Sequence, residues 1–595
     1  MRPIPDDSIT EEAVALAKHW QERAIALMTR AESRRSRQLA RLVADPDGKA
    51  VLTALIDQGF RSGSLDRTAD QIYHVLSTRG IPRFFSPQDQ LLVRLFTRIG
   101  RFIPRLTVPR ITAKMRADSR HVIIRGEKEP FGAYLGRRRG EGVRVNINHL
   151  GEEVLGDEEA LAHMATYLAD LRNPQVESIA VKISTVCAQI HPLPFEQTVE
   201  RISTRLAQLY REAAAQVFLR PDGTRTPKSV TLDMEAYRDL GLTAAAFMHT
   251  LDRPEFFHLF AGMALQAYLP DSLAVLQEIA AWARRRVDAG GSPIKIRIVK
   301  GANMEMELIE SALQGWPQAP YDRKLDVDAN WKRMVAFALQ PDIARAVRLG
   351  AASHNLFDLA YALLVARRNR VEAALTFEMI EGMANHLRRA VHETGRDFLA
   401  YAPVAEDRHF LSAVAYLIRR LDENTGPRNF LRHLNGLKTG TPAWEMLAEQ
   451  FRASVRRMAT LSPSRPHRTQ DRRSETYPAQ HGCIEAGVFR NEPNTDWSLS
   501  ANRAWAEEIR RRWMKGPQET PIEVPVVVGG RELFAGRRTL AALDPNQLPL
   551  EVVVARCALA GAEDALAAVA VARQDPDGWR DLSFHERHRS LSAAA

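Results

Sequence analysis

The segment IKIRIVKGA, residues 294–302, is a short β-rich run that ends in a lysine, a glycine and an alanine. Seven more runs of this kind lie along the chain, and longer stretches with helical spacing separate them. These runs are VRVNINHLG (143–151), IAVKIST (179–185), SVTLDME (229–235), GMALQAYL (262–269), LGAASHN (349–355), AALTFEMIEG (373–382) and FLAYAPVAED (398–407). The alternation predicts a repeated strand–helix unit with eight strands.

Helical crossovers between successive strands imply that the strands are parallel. Eight such units match a closed (βα)8 barrel, which is typically about 250 residues long. A doubly wound open sheet is the alternative, but no Gly-x-Gly-x-x-Gly follows any of the eight runs. The sequence therefore predicts an α/β protein built on a (βα)8 barrel.

The chain outside the barrel divides by composition. Residues 1–125 have helical spacing and predict a helical N-terminal domain, and the barrel itself is expected over 126–435. A helix and a polar linker rich in Arg, Ser and Pro follow over 436–485. A new α/β segment is expected over 486–595, where a Gly-Gly pair in IEVPVVVGGRELF predicts a hairpin.

The stretch LLVRLFTRIGRFIPRL (91–106) interleaves apolar and basic residues. A basic amphipathic stretch can bind membranes. We interpret it instead as a helix whose apolar side faces the core and whose basic side is solvated, because that is the more frequent arrangement.

The bulk composition is that of a globular protein, with 45% hydrophobic and 26% charged residues. A net charge of +10 suggests nucleic acid, an anionic membrane surface or anionic ligands as partners, but no nucleic-acid motif is present. Cys187, Cys483 and Cys557 form no close pair, which predicts neither a disulfide framework nor a zinc site and fits a reducing cytosol. No apolar run approaches the ~20 residues of a membrane span, so any membrane contact would be peripheral.

Function in a barrel of this kind lies at the carboxyl ends of the strands. Each of the eight units supplies a polar residue there. These residues are Glu152, Lys182, Asp233, Gln266, Arg297, Lys300, Ser353, His354, Asn355, Glu378, Glu381 and Tyr401, with Tyr416, Arg419, Arg420 and Glu423 on the helix after the last strand. Each has an ordinary structural explanation when taken alone, as an edge lysine, a turn aspartate or a core histidine. Their coincidence in all eight units favours a site, and its excess of cations predicts an anionic ligand such as a carboxylate or a pyrophosphate.

The segment AYLIRRLDENTG (415–426) places two arginines next to each other in an apolar helical turn. Neighbours on a helix point about 100° apart, so Arg419 and Arg420 could reach an anion from two directions. The alternative is a solvated helix end, where cations are favoured by the helix dipole.

The motifs VKIS, LDME, LQAY, IRIVKGA, SHN, YAPV and AYLIRRLDEN, in this order, resemble those of the proline dehydrogenase family. The N-terminal helices and the segment FRNEPNTDWSLSANRAWA resemble the bifunctional proline utilization A proteins, which fuse proline dehydrogenase to L-glutamate-γ-semialdehyde dehydrogenase. The resemblance implies a distorted barrel with non-covalent FAD. It also implies oxidation of L-proline to Δ1-pyrroline-5-carboxylate, with hydride transfer to flavin N5 and electrons passing to a membrane quinone. A cytoplasmic homo-oligomer with peripheral contact at the inner face of the membrane, and without a nucleic-acid partner, is what the family leads us to expect.

The resemblance also implies roles for individual residues. Arg419, Arg420 and Lys182 would hold the proline carboxylate, and Glu152 would pair with Arg419 as a gate. The residues implied to line the proline ring are Asp233, Tyr401 and Tyr416, with Ile298 and Ile380 as apolar packing. Arg297 would approach flavin N5. The remaining implied FAD contacts are Gln266, Val299, Lys300, Gly301, Ala302, His354 and Glu423. The catalytic set is then Arg297, Lys182, Asp233 and Tyr401.

Three features depart from the family pattern. Asn303 and Met304 stand where many members have Tyr-Trp, and Asp322 stands where a threonine is common. The aromatic cover and one FAD contact are therefore in question. No ribbon-helix-helix segment is present at the start.

The segment 486–595 resembles the beginning of the aldehyde dehydrogenase half. The NAD-binding sheet and the nucleophilic cysteine of that half would lie beyond residue 595, so we expect no semialdehyde dehydrogenase activity from this chain. We interpret Cys557 as a buried small hydrophobe. A partial α/β domain should also leave apolar faces uncovered.

Two other functions fit parts of the pattern. The first is a Schiff-base aldolase or lyase with Lys182 or Lys300 as nucleophile, which borohydride trapping would support. The second is a basic scaffold that binds nucleic acid or acidic lipid, which would show steep salt dependence and no chromophore. Neither gives a role to Arg297, Gln266 and the arginine pair together.

Overall fold

The computed structural model describes most of the chain. The described residues are 7–60, 62–119, 122–151, 153–395, 397–407, 413, 429–434, 436–461, 466–475, 492–514, 516 and 518–594. They form two compact units, the first within 1–313 and 317–468 and the second within 314–316 and 469–595. The finer division into four domains stays a prediction.

Eleven strands are described in the first unit. They are β1 (Ile124–Arg125), β2 (Arg144–His149), β3 (Ser178–Lys182), β4 (Val217–Leu219), β5 (Arg225–Pro227), β6 (Ser229–Asp233), β7 (Gly262–Gln266), β8 (Ile294–Val299), β9 (Val347–Ala352), β10 (Leu375–Ile380) and β11 (Phe398–Ala405). Eight of them pair in parallel in the order β2-β3-β6-β7-β8-β9-β10-β11, and β11 also pairs with β2. Tyr401 lies opposite Ile380 on one side and Asn146 on the other, which closes the sheet. The (βα)8 barrel prediction is confirmed, and the open-sheet alternative is wrong.

Three strands lie outside the closed barrel. β1 adds to β11 in parallel, and β4 and β5 form a short antiparallel hairpin that the sequence analysis did not predict.

Nineteen α-helices of four or more residues are described up to residue 460. They are α1 (Asp7–Leu27), α2 (Arg30–Val43), α3 (Pro46–Ala54), α4 (Leu65–Arg79), α5 (Pro87–Arg98), α6 (Pro104–Ser119), α7 (Lys128–Gly140), α8 (Asp157–Arg172), α9 (Ile183–Val186), α10 (Phe195–Ala215), α11 (Leu240–Leu251), α12 (Ser272–Asp288), α13 (Met304–Gln314), α14 (Lys324–Ala338), α15 (Pro341–Ala344), α16 (Leu356–Arg368), α17 (Asn385–His392), α18 (Phe430–His433) and α19 (Pro442–Thr460). A π-helical turn spans Leu55–Gly59, and a 3-10 turn spans Gly100–Phe102.

The main core lies between the barrel strands and the helices around them. Apolar strand residues such as Ile296, Leu349 and Ala351 are fully buried, as expected for parallel strands covered on both faces. A smaller cluster of buried apolar residues, which includes Ile72 and Phe96, joins α3, α4, α5 and α6. None of the described helices has the length and apolar character needed to cross a membrane.

The interpretation of residues 91–106 as a core-facing helix is wrong for most of their apolar side chains. Leu91, Leu95 and Phe102 are each more than half exposed, whereas Phe96 is buried. Of the α5 residues, Phe96 and Val93 pack against the small cluster, whereas Leu91, Leu92 and Leu95 stay exposed because they lie beyond the edge of that contact.

Three α-helices and five strands are described in the second unit. They are α20 (Ser500–Trp513), α21 (Ala562–Gln574), α22 (Phe584–Ala594), β12 (Ile522–Val524), β13 (Val526–Val528), β14 (Arg531–Leu533), β15 (Thr539–Leu543) and β16 (Val553–Ala558). β13 and β14 form the hairpin expected from Gly529 and Gly530, both of which have positive φ.

Several large apolar side chains of the second unit are exposed, among them Leu540, Leu566 and Phe584. This agrees with the expectation of uncovered apolar faces. Cys557 lies on β16 but is only partly buried, so its interpretation as a buried hydrophobe is wrong. β16 lies between β12 and β15 in a three-stranded sheet, and its burial pattern shows that the sheet is covered only in part.

Candidate active site

Four side chains from four strands meet at the carboxyl ends of the barrel strands. Arg297 donates from Nε to Glu378 Oε2 at 2.6 Å and from Nη1 to Asp233 Oδ1 at 2.6 Å. The Tyr401 hydroxyl donates to Asp233 Oδ2 at 2.5 Å. The guanidinium carbon of Arg297 also lies 4.9 Å from the centre of the Tyr401 ring. The network therefore joins β6, β8, β10 and β11 across the barrel interior.

A second cation completes the charge balance of this network. Lys295, two residues before Arg297 on the same face of β8, lies 2.6 Å from Glu378 Oε1. Burial opposes the charged form of Arg297, but the Glu378 and Asp233 carboxylates outweigh it and raise the pKa of Arg297 above its usual value. Burial likewise opposes ionisation of Glu378, and Arg297 and Lys295 outweigh it and lower the pKa of Glu378. Arg297 and Glu378 are thus both charged at neutral pH.

Lys182 lies beside Asp233, because the two residues are register partners on β3 and β6. Its ammonium is 3.2 Å from Glu235 Oε1 and donates to the Gly151 carbonyl at 3.2 Å. The Ser184 hydroxyl donates to the other oxygen of Glu235. Lys182 is therefore held in place from both sides.

Lys300 belongs to a separate buried cluster of charges. Its ammonium lies 2.6 Å from Asp328 Oδ1 and 2.6 Å from Asp358 Oδ2. Lys324 approaches Asp328 at 2.7 Å, and Lys332 approaches Asp358 at 2.7 Å. Burial would lower the pKa of Lys300, but the two carboxylates outweigh it and raise that pKa, so the amine stays protonated. A protonated amine is a poor nucleophile, which argues against the Schiff-base role of Lys300.

Three buried polar groups each keep one atom without a hydrogen bond. Gln266 donates from Nε2 to the carbonyls of Met234 and Glu235, and its Oε1 has no partner. His354 Nε2 accepts the Ile380 amide proton at 3.3 Å, and its Nδ1 has no partner. Arg297 Nη2 also has none. These three residues lie at or near the carboxyl ends of the neighbouring strands β7, β8 and β9, which makes their unpaired atoms candidate contacts for a ligand bound there.

The protonation state of His354 decides what it can offer. Burial, together with the nearby His386, lowers the pKa of His354 to about 4, so the ring is neutral near pH 7. Nε2 accepts a hydrogen bond, so we infer that the proton of the neutral ring is on Nδ1. The unpaired groups are then two donors, Arg297 Nη2 and His354 Nδ1, and one acceptor, Gln266 Oε1.

Gly301 allows the chain to pass close to Tyr268. Its φ is +141°, and a Cβ placed there would lie 2.4 Å from Tyr268 Cγ. The Tyr268 amide donates to the Lys300 carbonyl at 2.7 Å, which fixes this approach. Only glycine fits this position without strain. Ala302 follows it at the start of the loop that leads to α13.

The remaining predicted residues divide into two groups. Glu152, Tyr416, Arg419, Arg420 and Glu423 lie outside the described residues, so the proposed carboxylate clamp and gate stay predictions. Ile380 lies two residues after Glu378 and so shares its face of β10, and Val299 shares the face of Arg297 on β8. Ile298 is fully buried on the opposite face of β8 from Arg297, which gives no support to its role in the proline pocket. That role also stays a prediction.

Asn303, Met304 and Asp322 are the three residues that depart from the family pattern, and all three follow strand β8 in the chain. Asn303 and Met304 are partly buried where α13 begins, and Asp322 is exposed. Among the described residues, no group of His, Cys, Asp and Glu could hold a metal ion.

The family model for proline dehydrogenase matches residues 133–433, just over half of the chain. The chain belongs to the proline dehydrogenase family. This assignment makes it an oxidoreductase of the proline dehydrogenase type and agrees with the closed barrel. None of the curated proteins compared with it matches it.

Solved structures of proline utilization A proteins are similar to the chain. The protein from Corynebacterium freiburgense is 34% identical over 70% of this chain and 38% of its own, with a TM-score of 0.57. The protein from Bdellovibrio bacteriovorus, inactivated by N-propargylglycine, is 22% identical over 97% of this chain and 55% of its own, with a TM-score of 0.73. The second match supports the fold alone. The chain thus spans between 38% and 55% of the length of these two relatives.

Sequence reasoning missed several residues that complete the site of this family member. Glu378 was recognised as a strand-end residue but was not assigned to the site, and Lys295 was not singled out at all. The same is true of Glu235, Asp328 and Asp358. Glu235 lies in the quoted motif LDME, and a search for acidic partners of Lys182 could have found it. Asp328 and Asp358 lie on α14 and α16, and no local pattern links them to Lys300.

Proposed function

We propose that the barrel binds FAD and oxidises L-proline to Δ1-pyrroline-5-carboxylate, with electrons passing on to a quinone. The observation that carries this proposal is the Arg297–Asp233–Tyr401 network, which lies at the strand ends next to the three unpaired polar atoms. The family assignment supports the substrate. The FAD, the quinone and the residue roles are our proposal.

The residues present fit a flavin. The isoalloxazine ring has both hydrogen-bond acceptors and a donor along its polar edge, and Arg297 Nη2, His354 Nδ1 and Gln266 Oε1 are two donors and one acceptor. Gly301 brings the backbone of the β8 strand end close to Tyr268, and a side chain at Gly301 would fill this space. We infer that these residues, with Val299, Lys300 and Ala302, hold the cofactor. When bound, FAD supplies a hydride acceptor at N5.

The chain's own residues would bind and orient proline. Lys182 is a cation held next to Asp233 and is suited to a carboxylate, together with Arg419 and Arg420 by resemblance. Asp233 accepts hydrogen bonds from both Arg297 and Tyr401, so it fixes the guanidinium relative to the phenol ring. Such fixed geometry favours hydride transfer, which requires the donor carbon to be aligned with its acceptor and water to be excluded.

The first test is a visible absorption spectrum of the purified chain, followed by anaerobic addition of L-proline. We expect a flavin band that bleaches with proline. A flavin band that does not bleach would support FAD as the cofactor but reject L-proline as the substrate. A folded chain without a flavin band after reconstitution with FAD would reject the proposal. Covalent trapping of a carbonyl substrate by borohydride would favour the Schiff-base alternative instead.

The second test is the variant Tyr401→Phe, which keeps the ring and removes the hydroxyl. We expect flavin content to be unchanged and kcat/KM for proline to fall about tenfold or more, because a hydrogen bond to the Asp233 carboxylate is lost. Steady-state kinetics with an artificial quinone as acceptor measure this. An unchanged kcat/KM would remove Tyr401 from the site.

A further inference from the structure

Strand β2 lies between β11 and β3 in the closed barrel and so borders the proposed site on both sides. Tyr401 lies on β11, and Lys182 lies on β3. The inward side chains of successive strands in a closed barrel share one interior. A polar residue on the inner face of β2 would therefore lie between Tyr401 and Lys182, beside the position proposed for the substrate.

The contacts of His149, the last residue of β2, identify the inner face of this strand. His149 Nε2 lies 2.5 Å from Asp170 Oδ2, and its ring meets the Tyr167 ring edge to face. Both partners belong to α8, and the helices of such a barrel surround the strands on the outside. Successive side chains of a strand point to opposite faces, so Asn148 points into the barrel.

Asn148 is only 2% exposed, yet no described residue forms a hydrogen bond with its side chain. Its register partners are Ala180 on β3 and Pro403 on β11, whose side chains carry no polar atom. Asn146 lies two residues deeper on the same face and accepts a hydrogen bond from the Ser178 hydroxyl at 3.3 Å. The deeper amide is therefore bound within the barrel itself, whereas the amide of Asn148 is available to a ligand.

The register of the strands places Asn148 next to the groups proposed to bind proline. Lys182 follows Ala180 by two residues on the same face of β3, about 7 Å further toward the carboxyl ends. Tyr401 precedes Pro403 by two residues on the same face of β11. An anion bound by Lys182 would thus lie at the open end of the barrel, on the side toward which the Asn148 side chain faces.

We propose that Asn148 is a further substrate-binding residue, whose side-chain amide donates a hydrogen bond to the carboxylate of L-proline beside Lys182. This inference rests on the proposed function. The ammonium of Lys182 supplies the charge that attracts the carboxylate, and the amide fixes the direction in which the carboxylate is held. An aspartate of the same shape at this position would instead place a negative charge against the substrate carboxylate.

The experiment compares Asn148→Ala and Asn148→Asp in the full chain loaded with FAD, at about pH 8, where an aspartate is ionised. Two cyclic probes separate the two polar groups of proline. Cyclopentanecarboxylate has the carboxylate without the amine, and pyrrolidine has the amine without the carboxylate. Their dissociation constants are measured without oxygen, by titration of the flavin absorption spectrum.

The two variants should differ in their effect on the carboxylate probe. Asn148→Ala should weaken binding of cyclopentanecarboxylate about tenfold, because one hydrogen bond to a charged group is lost. Asn148→Asp should weaken it at least about a hundredfold, because like charges are then brought together. Binding of pyrrolidine should become no more than about twofold weaker in either variant, because this probe has no carboxylate for the amide to bind.

The matched control is Asn546→Asp, which makes the same change of charge at an exposed asparagine of the second unit and should bind both probes like the unmodified chain. Flavin content and the thermal unfolding midpoint show whether each variant is folded. If Asn148→Asp does not fold, Asn148→Leu replaces it. Leucine keeps the volume of the side chain without its amide, so this variant should weaken the carboxylate probe about tenfold and leave pyrrolidine binding unchanged.

The proposal is overturned if Asn148→Asp binds cyclopentanecarboxylate as tightly as Asn148→Ala does. It is also overturned if Asn148→Ala binds this probe like the unmodified chain, or if both probes are weakened equally. These outcomes leave the proposed function intact, because the unmodified chain still binds the probes and is reduced by proline. An unmodified, FAD-loaded chain that binds neither probe and is not reduced by proline would overturn the proposed function and this inference together.

Discussion

Glu378 holds two buried cations at once, and this sets the charge of the barrel interior. Lys295 lies 2.6 Å from one of its oxygens and Arg297 lies 2.6 Å from the other. A carboxylate between two cations stabilises a buried network only while every member is paired. Glu378 also fixes the Nε side of Arg297, so that Nη2 is the side left for a ligand.

Replacing Glu378 by Gln should therefore destabilise the barrel. The change leaves Lys295 and Arg297 buried without their shared negative charge, and we expect a loss of about 3–5 kcal/mol in the free energy of unfolding. Urea unfolding at neutral pH measures it. The control Glu278→Gln alters an exposed side chain on α12 and should stay within about 0.5 kcal/mol of the unmodified protein. Equal stabilities for the two variants would contradict the role of Glu378.

Gly301 is the residue at which the backbone itself limits substitution. Gly301→Ala should destabilise the protein by about 2–4 kcal/mol, because alanine is strained at a φ of +141° and its Cβ would overlap the Tyr268 ring. Thermal and urea unfolding measure this. Gly136→Ala is the matched control, and its expected effect on the free energy of unfolding has the opposite sign. It is exposed on α7 with open space around it, and should stabilise the protein by about 0.5–1 kcal/mol. A neutral Gly301→Ala would show that the loop can move away from Tyr268.

At the scale of the element, α1 shows how a helix far from the barrel in sequence becomes part of it. Its buried positions, Ile9, Ala13, Ala17, Trp20 and Ala24, recur at intervals of three or four residues. The helix packs against α16 and α17, the two helices that follow β9 and β10. Alanines at most of these positions allow the helix axes to approach closely, while Trp20 fills the space between them.

Enlarging a buried alanine of α1 should push it away from the barrel. Ala17→Leu should cost about 1–3 kcal/mol, because three extra carbons must fit into a fully packed contact. Ala15→Leu, two residues earlier on the exposed side, should have almost no effect. Unfolding in urea compares the two. If both variants were equally stable, the buried face of α1 would be assigned wrongly.

At the scale of the whole molecule, buried charges make stability depend on pH. Burial opposes ionisation of Asp328 and Asp358, but the surrounding lysines outweigh it and lower the pKa of both. The folded state then binds fewer protons than the unfolded state, so this stability is present above about pH 4 and is lost as the pH falls through the folded pKa values. The pKa of His354 is lowered to about 4, so this residue adds a further loss of stability as the pH falls. That loss begins near pH 6.5, where the histidine of the unfolded chain takes up a proton.

We therefore expect the urea midpoint of the barrel to fall from about pH 6.5 downward and more steeply below about pH 4. His354→Gln should flatten the upper part of this decline, and Asp328→Asn the lower part. His19→Gln, which changes an exposed histidine on α1, should leave the profile unchanged. A midpoint that is constant between about pH 7 and pH 5 in the unmodified protein would contradict the buried neutral state of His354.

Local pattern was sufficient to predict the barrel and part of its site. The eight β-rich runs coincide with the eight barrel strands, because a buried parallel strand between two helices has a recognisable composition. Asp233 ends β6, and Arg297 and Tyr401 lie further inside β8 and β11; the sequence selected them as polar residues of the strand-end motifs, which closure of the barrel brings together.

The tertiary structure alone decided which partner each charge takes and which apolar face is covered. Lys300 pairs with Asp328 and Asp358 on two later helices, and Glu378 takes Lys295 as well as Arg297, because distances between side chains depend on packing across the whole fold. The leucines of α5 have the spacing of a buried face and are nevertheless exposed. Helical periodicity shows that one face of a helix is apolar, but only contact with a neighbouring element determines whether that face is removed from water.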